Sequence, residues 1–170
     1  MSVGSTRLVA QAGPVIDIAA YLAGDLAETK VPVLISNVGW IYGTGANCAN
    51  IVYADKVTLT DGGNDTINLK DSGTLLDVFG RVLTLTALKL LYIKNNSTDA
   101  TLLVGGGVSL DLILFADTSD IVKIKPGGSM IWVDPSAAGI DVTTNKNLYI
   151  AHDGTGSSTM VVDIVAMGLD

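Results

Sequence analysis

From Lys56 to the C-terminus, the chain is written in short runs of alternating apolar and polar residues, separated by glycine-rich breaks. A period of two marks strands with one buried face, because successive side chains leave a strand on opposite sides. Nineteen glycines, often in pairs or triples, punctuate the turns between such runs. No amphipathic helix-length segment separates the runs, which argues against a parallel α/β fold. The expected class is all-β: an antiparallel β-sandwich, with a jelly roll as the preferred subtype and an N-terminal arm or extension.

The runs can be followed individually. Val57 and Leu59 alternate with Lys56, Thr58 and Thr60. After Asp61-Gly62-Gly63-Asn64, Ile67 and Leu69 alternate with Thr66 and Asn68. This pairing predicts a hairpin. Ser72 to Phe79 reads as a short helical turn, with Ser72 as N-cap and Gly80 as the stop. Val82 to Lys94 is the longest strand. Its apolar phase shifts near Ala87, from Leu83 and Leu85 to Leu88, Leu90 and Tyr92, as a β-bulge or burial on both faces would produce. Further strands are expected at Ala100–Val104, Leu110–Phe115, Ile121–Lys125, Met130–Asp134, Asn147–Ala151 and Thr159–Val165. Residues 54–170 form the predicted sandwich. Residues 1–53 are more irregular. Val15 to Leu26 has weak helical spacing, Pro32 and Gly39 interrupt the next apolar run, and Gly43 to Asn47 is a turn. This third is read as an arm that packs on a neighbouring subunit, with extra strands of the same domain as the alternative.

Composition narrows the function. Hydrophobic residues make up 48% and charged residues only 16% of the 170, and mean hydropathy is +0.46. Such a chain has apolar surface to spare for association. The net charge of −7 and the absence of a basic cluster argue against nucleic acid and anionic membranes as partners, and fit a basic protein surface. The apolar stretch from Thr101 to Ala116 is broken by Gly105-Gly106-Gly107 and Asp111, so no membrane span is expected. The N-terminus makes a poor signal peptide, since Gln11, Pro14 and Asp17 interrupt it, and cytoplasmic synthesis is the default.

Catalytic chemistry finds few candidates. Cys48 is the single cysteine, read as a buried or half-buried hydrophobe. His152, the single histidine, is expected in a surface turn. Zinc needs more histidines and cysteines than these two. Asp61, Asn64 and Asp65 around a Gly-Gly turn, with Asp117 and Asp120 in a second loop, are oxygen ligands of the type calcium accepts, but their spacing is not that of an EF-hand, and turn roles explain them better. Glu28 is the single glutamate, which leaves little for a glycosidase pair. The Gly105–Gly107 and Pro126-Gly127-Gly128 runs lack the Lys-Ser/Thr ending of a phosphate loop. No cofactor and no catalytic residue is expected. Trp132 reads as core, whereas Trp40 and Tyr42, with Tyr21 and Leu22, are the candidate interface anchors.

The run from Ala54-Asp55-Lys56-Val57-Thr58-Leu59 through Leu76-Asp77-Val78-Phe79-Gly80 continues to Leu88-Lys89-Leu90-Leu91-Tyr92-Ile93-Lys94-Asn95. Leu103-Val104-Gly105-Gly106, Val122-Lys123-Ile124-Lys125-Pro126-Gly127-Gly128 and a closing apolar strand ending at Gly168 follow. Over residues 54–168 this order resembles small bacteriophage virion proteins of the capsid cement or decoration type. The resemblance implies a jelly-roll body on the outside of a virion capsid, often a homotrimer, with the major capsid protein as partner. A tail, collar or fibre-associated protein is the neighbouring alternative, and a carbohydrate-binding module is the alternative from another class.

Overall fold

A computed structural model describes residues 9–12, 38–107, 109, 111–114, 117–156 and 158–170. Among them the chain is all-β, without a helix. Its strands are β1 (Val9–Ala12), β2 (Val38–Tyr42), β3 (Cys48–Ala49), β4 (Ile51–Leu59), β5 (Asn64–Asn68), β6 (Ala87–Asn95), β7 (Leu102–Gly105), β8 (Ile121–Ile124), β9 (Ser129–Val133), β10 (Ile140–Asp141), β11 (Asn147–His152) and β12 (Met160–Leu169).

Two antiparallel sheets form the body. One runs β4-β12-β6, with β9 and β10 both pairing to the far side of β6; the other runs β5-β11-β7-β8. Their inner faces share one apolar core. Ile51, Leu59, Leu91, Ile93, Val162 and Ile164 come from the first sheet, and Ile67, Leu102, Val104, Ile124, Leu148 and Ile150 from the second. Two facing sheets that alternate inward apolar residues in this way make a sandwich. A small third sheet, β1-β2-β3, contains the parallel pair β2–β3. Trp40 on β2 is buried against Ala49, Leu90 and Met167, on the outer side of the β4-β12-β6 sheet. Residues 38–53 therefore belong to the packed body: β4 opens at Ile51, and Ile51 and Tyr53 are both buried in its core. The helical spacing at Val15–Leu26 falls outside the described residues.

The strand runs emerge where alternation predicts them, but several connections differ. The Asp61–Asn64 turn does not close a hairpin. Gly62 takes φ +65° and Gly63 N–H donates to Thr60 C=O at 2.8 Å, yet the turn carries the chain from one sheet to the other. β4 pairs with β12, and β5 pairs with β11. A local turn is compatible with both outcomes; the long-range partners decide between them.

Ser72–Phe79 is not helical. Ser72 Oγ does accept the Leu75 N–H at 2.9 Å, the bond expected of an N-cap. The chain then stays extended, because Leu83 N–H donates to Leu75 C=O, Leu85 N–H donates to Leu69 C=O, and Leu76 bridges Val82. This pairing buries Leu69, Leu83 and Leu85 completely, a larger gain than one helical turn offers. The expected strand at Leu110–Phe115 is reduced to a parallel bridge from Asp111 to Asn147; Leu110 and Phe115 themselves fall outside the described residues.

A bulge does occur in β6, but at Lys89 and not near Ala87, and the strand begins at Ala87 and not at Val82, so Leu88 does not share a face with Leu90 and Tyr92. Along β12, Gly168 faces Leu88 while Met167 faces Leu90, so Lys89 is the extra residue. Leu88 enters the main core, Leu90 turns outward beneath Trp40, and Leu91 is inward again. Burial on both faces therefore occurs as well.

Candidate interaction surface

The expected chemical residues can now be placed. His152 is not on the surface: it ends β11 and is 3% exposed. Its Nδ1 accepts the Gly154 N–H at 3.0 Å, so Nε2 donates to the Ser158 carbonyl oxygen at 3.1 Å. Carboxylate oxygens of Asp61 and Asp153 stand 3.7 and 4.0 Å from Nδ1. Both ring nitrogens are thus engaged by backbone, and the histidine clips the 153–158 turn.

The calcium-type residues do not converge. Asn64 and Asp65 are neighbours on β5 and leave the sheet on opposite faces. Asp61 lies beside His152, and the Asp65 carboxylate accepts the Thr66 N–H. Asp117 accepts the Ser119 N–H, with Ser119 and Thr118 hydroxyls beside it; these bonds hold its carboxyl below the usual range. Asp153 is likewise held well below, first by Thr155 and against its own burial, with Thr101 adding to the effect. Among the described residues, no group of three His, Cys, Asp or Glu side chains is gathered as a metal would require. Cys48 is half-buried.

Of the candidate anchors, Trp40 is buried by its own chain and Trp132 packs half-buried against the main core. Trp40 therefore offers no surface to a partner, and its indole N–H has no acceptor among the described residues. Tyr42 and its neighbour Ile41 are exposed. Tyr21 and Leu22 fall outside the described residues.

Sequence reading missed the most conspicuous apolar surface, the loop between the extended segments 69–75 and 83–86. Leu76 is 52% exposed, Val78 51%, Phe79 50% and Val82 46%. Four large apolar side chains within seven residues would ordinarily collapse inward. Here the backbone denies them that freedom. Asp77, buried beneath the loop, accepts the Phe79 N–H at 2.9 Å and the Arg81 N–H at 2.8 Å through Oδ1, and pairs with the Arg81 guanidinium through Oδ2 at 2.6 Å. Asp77 N–H donates to Arg81 C=O, and Gly80, at φ +80°, closes the turn onto Asp77 C=O. The loop is pinned to the body as Val78 N–H donates to Val52 C=O and Arg81 Nη2 donates to Asn50 C=O. The Arg81 guanidinium also stands 5.6 Å from the Phe79 ring centroid, which fixes that ring by a cation–π contact.

Burial pushes the Asp77 carboxyl up, but the Arg81 and Phe79 N–H groups and the Arg81 charge outweigh it and leave it below the usual carboxylate range. Tyr42 lies within electrostatic range of Arg81, so the exposed end of β2 and the loop share one end of the molecule. No family model matches the chain, and no curated protein matches its sequence. The functional reading accordingly rests on the surface itself.

The signal for this loop was present as Leu76-Asp77-Val78-Phe79-Gly80-Arg81-Val82. An acid and an arginine four apart, around a glycine, can tie a turn as well as a helix. Only the extended pairing of the flanks distinguishes the two.

Proposed function

We propose that this chain is a non-enzymatic structural protein of a bacteriophage virion, a cement or decoration protein that binds the outer surface of the capsid through protein–protein contacts. The observation that carries this reading is the Leu76–Val82 loop, which holds four apolar side chains half in water on a backbone fixed from below. A pre-ordered apolar projection loses little entropy on docking, and burying it supplies the driving force. Arg81 and the acidic body around it add polar contacts at the rim.

The strand order supports reading the body as a jelly roll. Along the chain β4 to β7 alternate between the sheets, β8 stays beside β7, and β9, β11 and β12 alternate again, giving β4-β12-β6-β9 against β5-β11-β7-β8. Two nested Greek keys would produce this order. We assign the protein a homotrimeric state, with the major capsid protein as its other partner.

The test is co-sedimentation with capsids that lack the protein. Wild-type protein should pellet with them, and a Val78→Asp/Phe79→Asp variant of unchanged melting temperature should stay in the supernatant. Equal pelleting of the variant, or no pelleting of the wild type, would overturn the reading. Sedimentation equilibrium of the free protein should give a trimer mass; a monomer at micromolar concentration would remove the trimer.

A further inference from the structure

A second feature lies on the other sheet, away from the apolar loop. On the outer face of β5 and β11, Asn64, Thr66, Asn147 and Tyr149 floor a cleft of about 370 Å³, and Gly106, Gly107, Ser109 and Asp111 wall it. Its volume is near the lower end for small-molecule sites, which run from ~300 to 1,000 Å³.

The wall is fastened to the floor. Asn147 Nδ2 donates to Ser109 C=O at 3.0 Å, Leu112 N–H donates to Asn147 C=O at 2.8 Å, and Asp111 bridges Asn147. Asp111 is 2% exposed, and its carboxylate accepts the Gly107 N–H. A Cβ on Gly107 would stand 2.4 Å from Asp111 Oδ1, so glycine alone lets the backbone approach the acid so closely. Burial pushes the Asp111 carboxyl up, with the Gly107 N–H pulling it the other way. A carboxylate kept in this setting is a cost to stability that a ligand's hydroxyl groups can offset.

The lining chemistry selects the ligand. An acid with no lysine or arginine among the described lining residues repels phosphates and other anions. One carboxylate among the lining residues is poor provision for calcium, which takes six to eight oxygens. Carboxylate, amide and hydroxyl groups around one aromatic ring are what a sugar requires. Adjacent hydroxyls donate to the carboxylate, amides bond on both their donor and acceptor sides, and the ring meets the C–H face of a pyranose. We propose that this cleft binds a neutral saccharide, seating one hexopyranose residue with a hydroxyl on Asp111 and its apolar face toward Tyr149.

The test is an amide NMR titration of the full chain, in the presence of a chelator, with the methyl glycosides of glucose, galactose and mannose. At least one should give saturable shifts at Gly106, Gly107, Asn147 and Tyr149. Asp111→Asn, which keeps the shape and the acceptor for Gly107, should weaken that binding by at least about tenfold without lowering the melting temperature. Tyr149→Ala, at a half-buried position on the outer face, should weaken it comparably and keeps the test valid if the first variant fails to fold. No saturable shift with any of the glycosides, or binding that survives both variants, overturns the proposal. So does a response of the same amides to calcium chloride, added in a chelator-free sample, without any response to sugar.

Discussion

At the residue scale the protein turns on what its aspartates hold. Asp77 organises the apolar loop from a fully buried side chain, and its loss should be felt in stability as well as in binding. Asp77→Ala removes a charged acceptor from two backbone N–H groups and a guanidinium, and should cost ~1.5–3 kcal/mol in urea denaturation at neutral pH. Because the folded Asp77 titrates below the unfolded group, its contribution is fully present above the unfolded pKa, near 3.9, and is lost as pH falls through the folded value. The difference in urea stability between wild type and Asp77→Ala should therefore be largest at neutral pH and shrink as the pH is lowered below the unfolded pKa; a difference that grows in acid would contradict the assignment. His152 teaches a related lesson. From sequence, a histidine before Asp153-Gly154 looks like a turn residue. The turn is present, but the imidazole lies beneath it and supplies its bonds. Sequence gives the turn and not the direction of the side chain.

At the element scale, alternation placed β5, β7, β8, β9, β11 and β12 to within a few residues, because period two records which face is buried, but it started β4 five residues late and β6 five residues early. What it does not record is the strand's partner. The β4–β5 turn has the residues of a hairpin and serves as a crossing between sheets. A bulge was legible in the uneven apolar phase, but not its position, because Leu88 and Leu90 are both buried, on opposite faces, and its consequence is steric. Gly168 faces the bulge, and a Cβ there would sit 1.9 Å from the Ala87 carbonyl oxygen. Gly168→Ala should destabilise the protein by at least ~3 kcal/mol, above the usual range for added core methyl groups, read as a lowered urea midpoint; a neutral effect would show that the pairing of β12 with β6 is wrong at this end. Trp40 separates two views of the N-terminal third. As a core residue beneath β2, its replacement by alanine should cost ~3–5 kcal/mol in the isolated protein. If Trp40 were a docking anchor, Trp40→Ala would leave stability unchanged and reduce association instead. The apolar loop was not legible, since its seven residues fit a helical turn equally well until the pairing of Leu75 with Leu83 is known.

At the scale of the whole molecule, a stiff sandwich presents a fixed apolar loop at the end shared with Tyr42, and a polar cleft on its other sheet. The first is suited to docking on protein, the second to a small polar ligand. Low charge and high hydropathy, visible in the composition, are consistent with a chain whose working state is an assembly. The proposed assembly is a phage capsid, and an image reconstruction of the purified particle can show it. β-Sandwich density should repeat over the outer capsid lattice, with the Leu76–Val82 loop against the major capsid protein. Particles whose capsid surface carries no such density, or that hold the protein only at the tail, would contradict it.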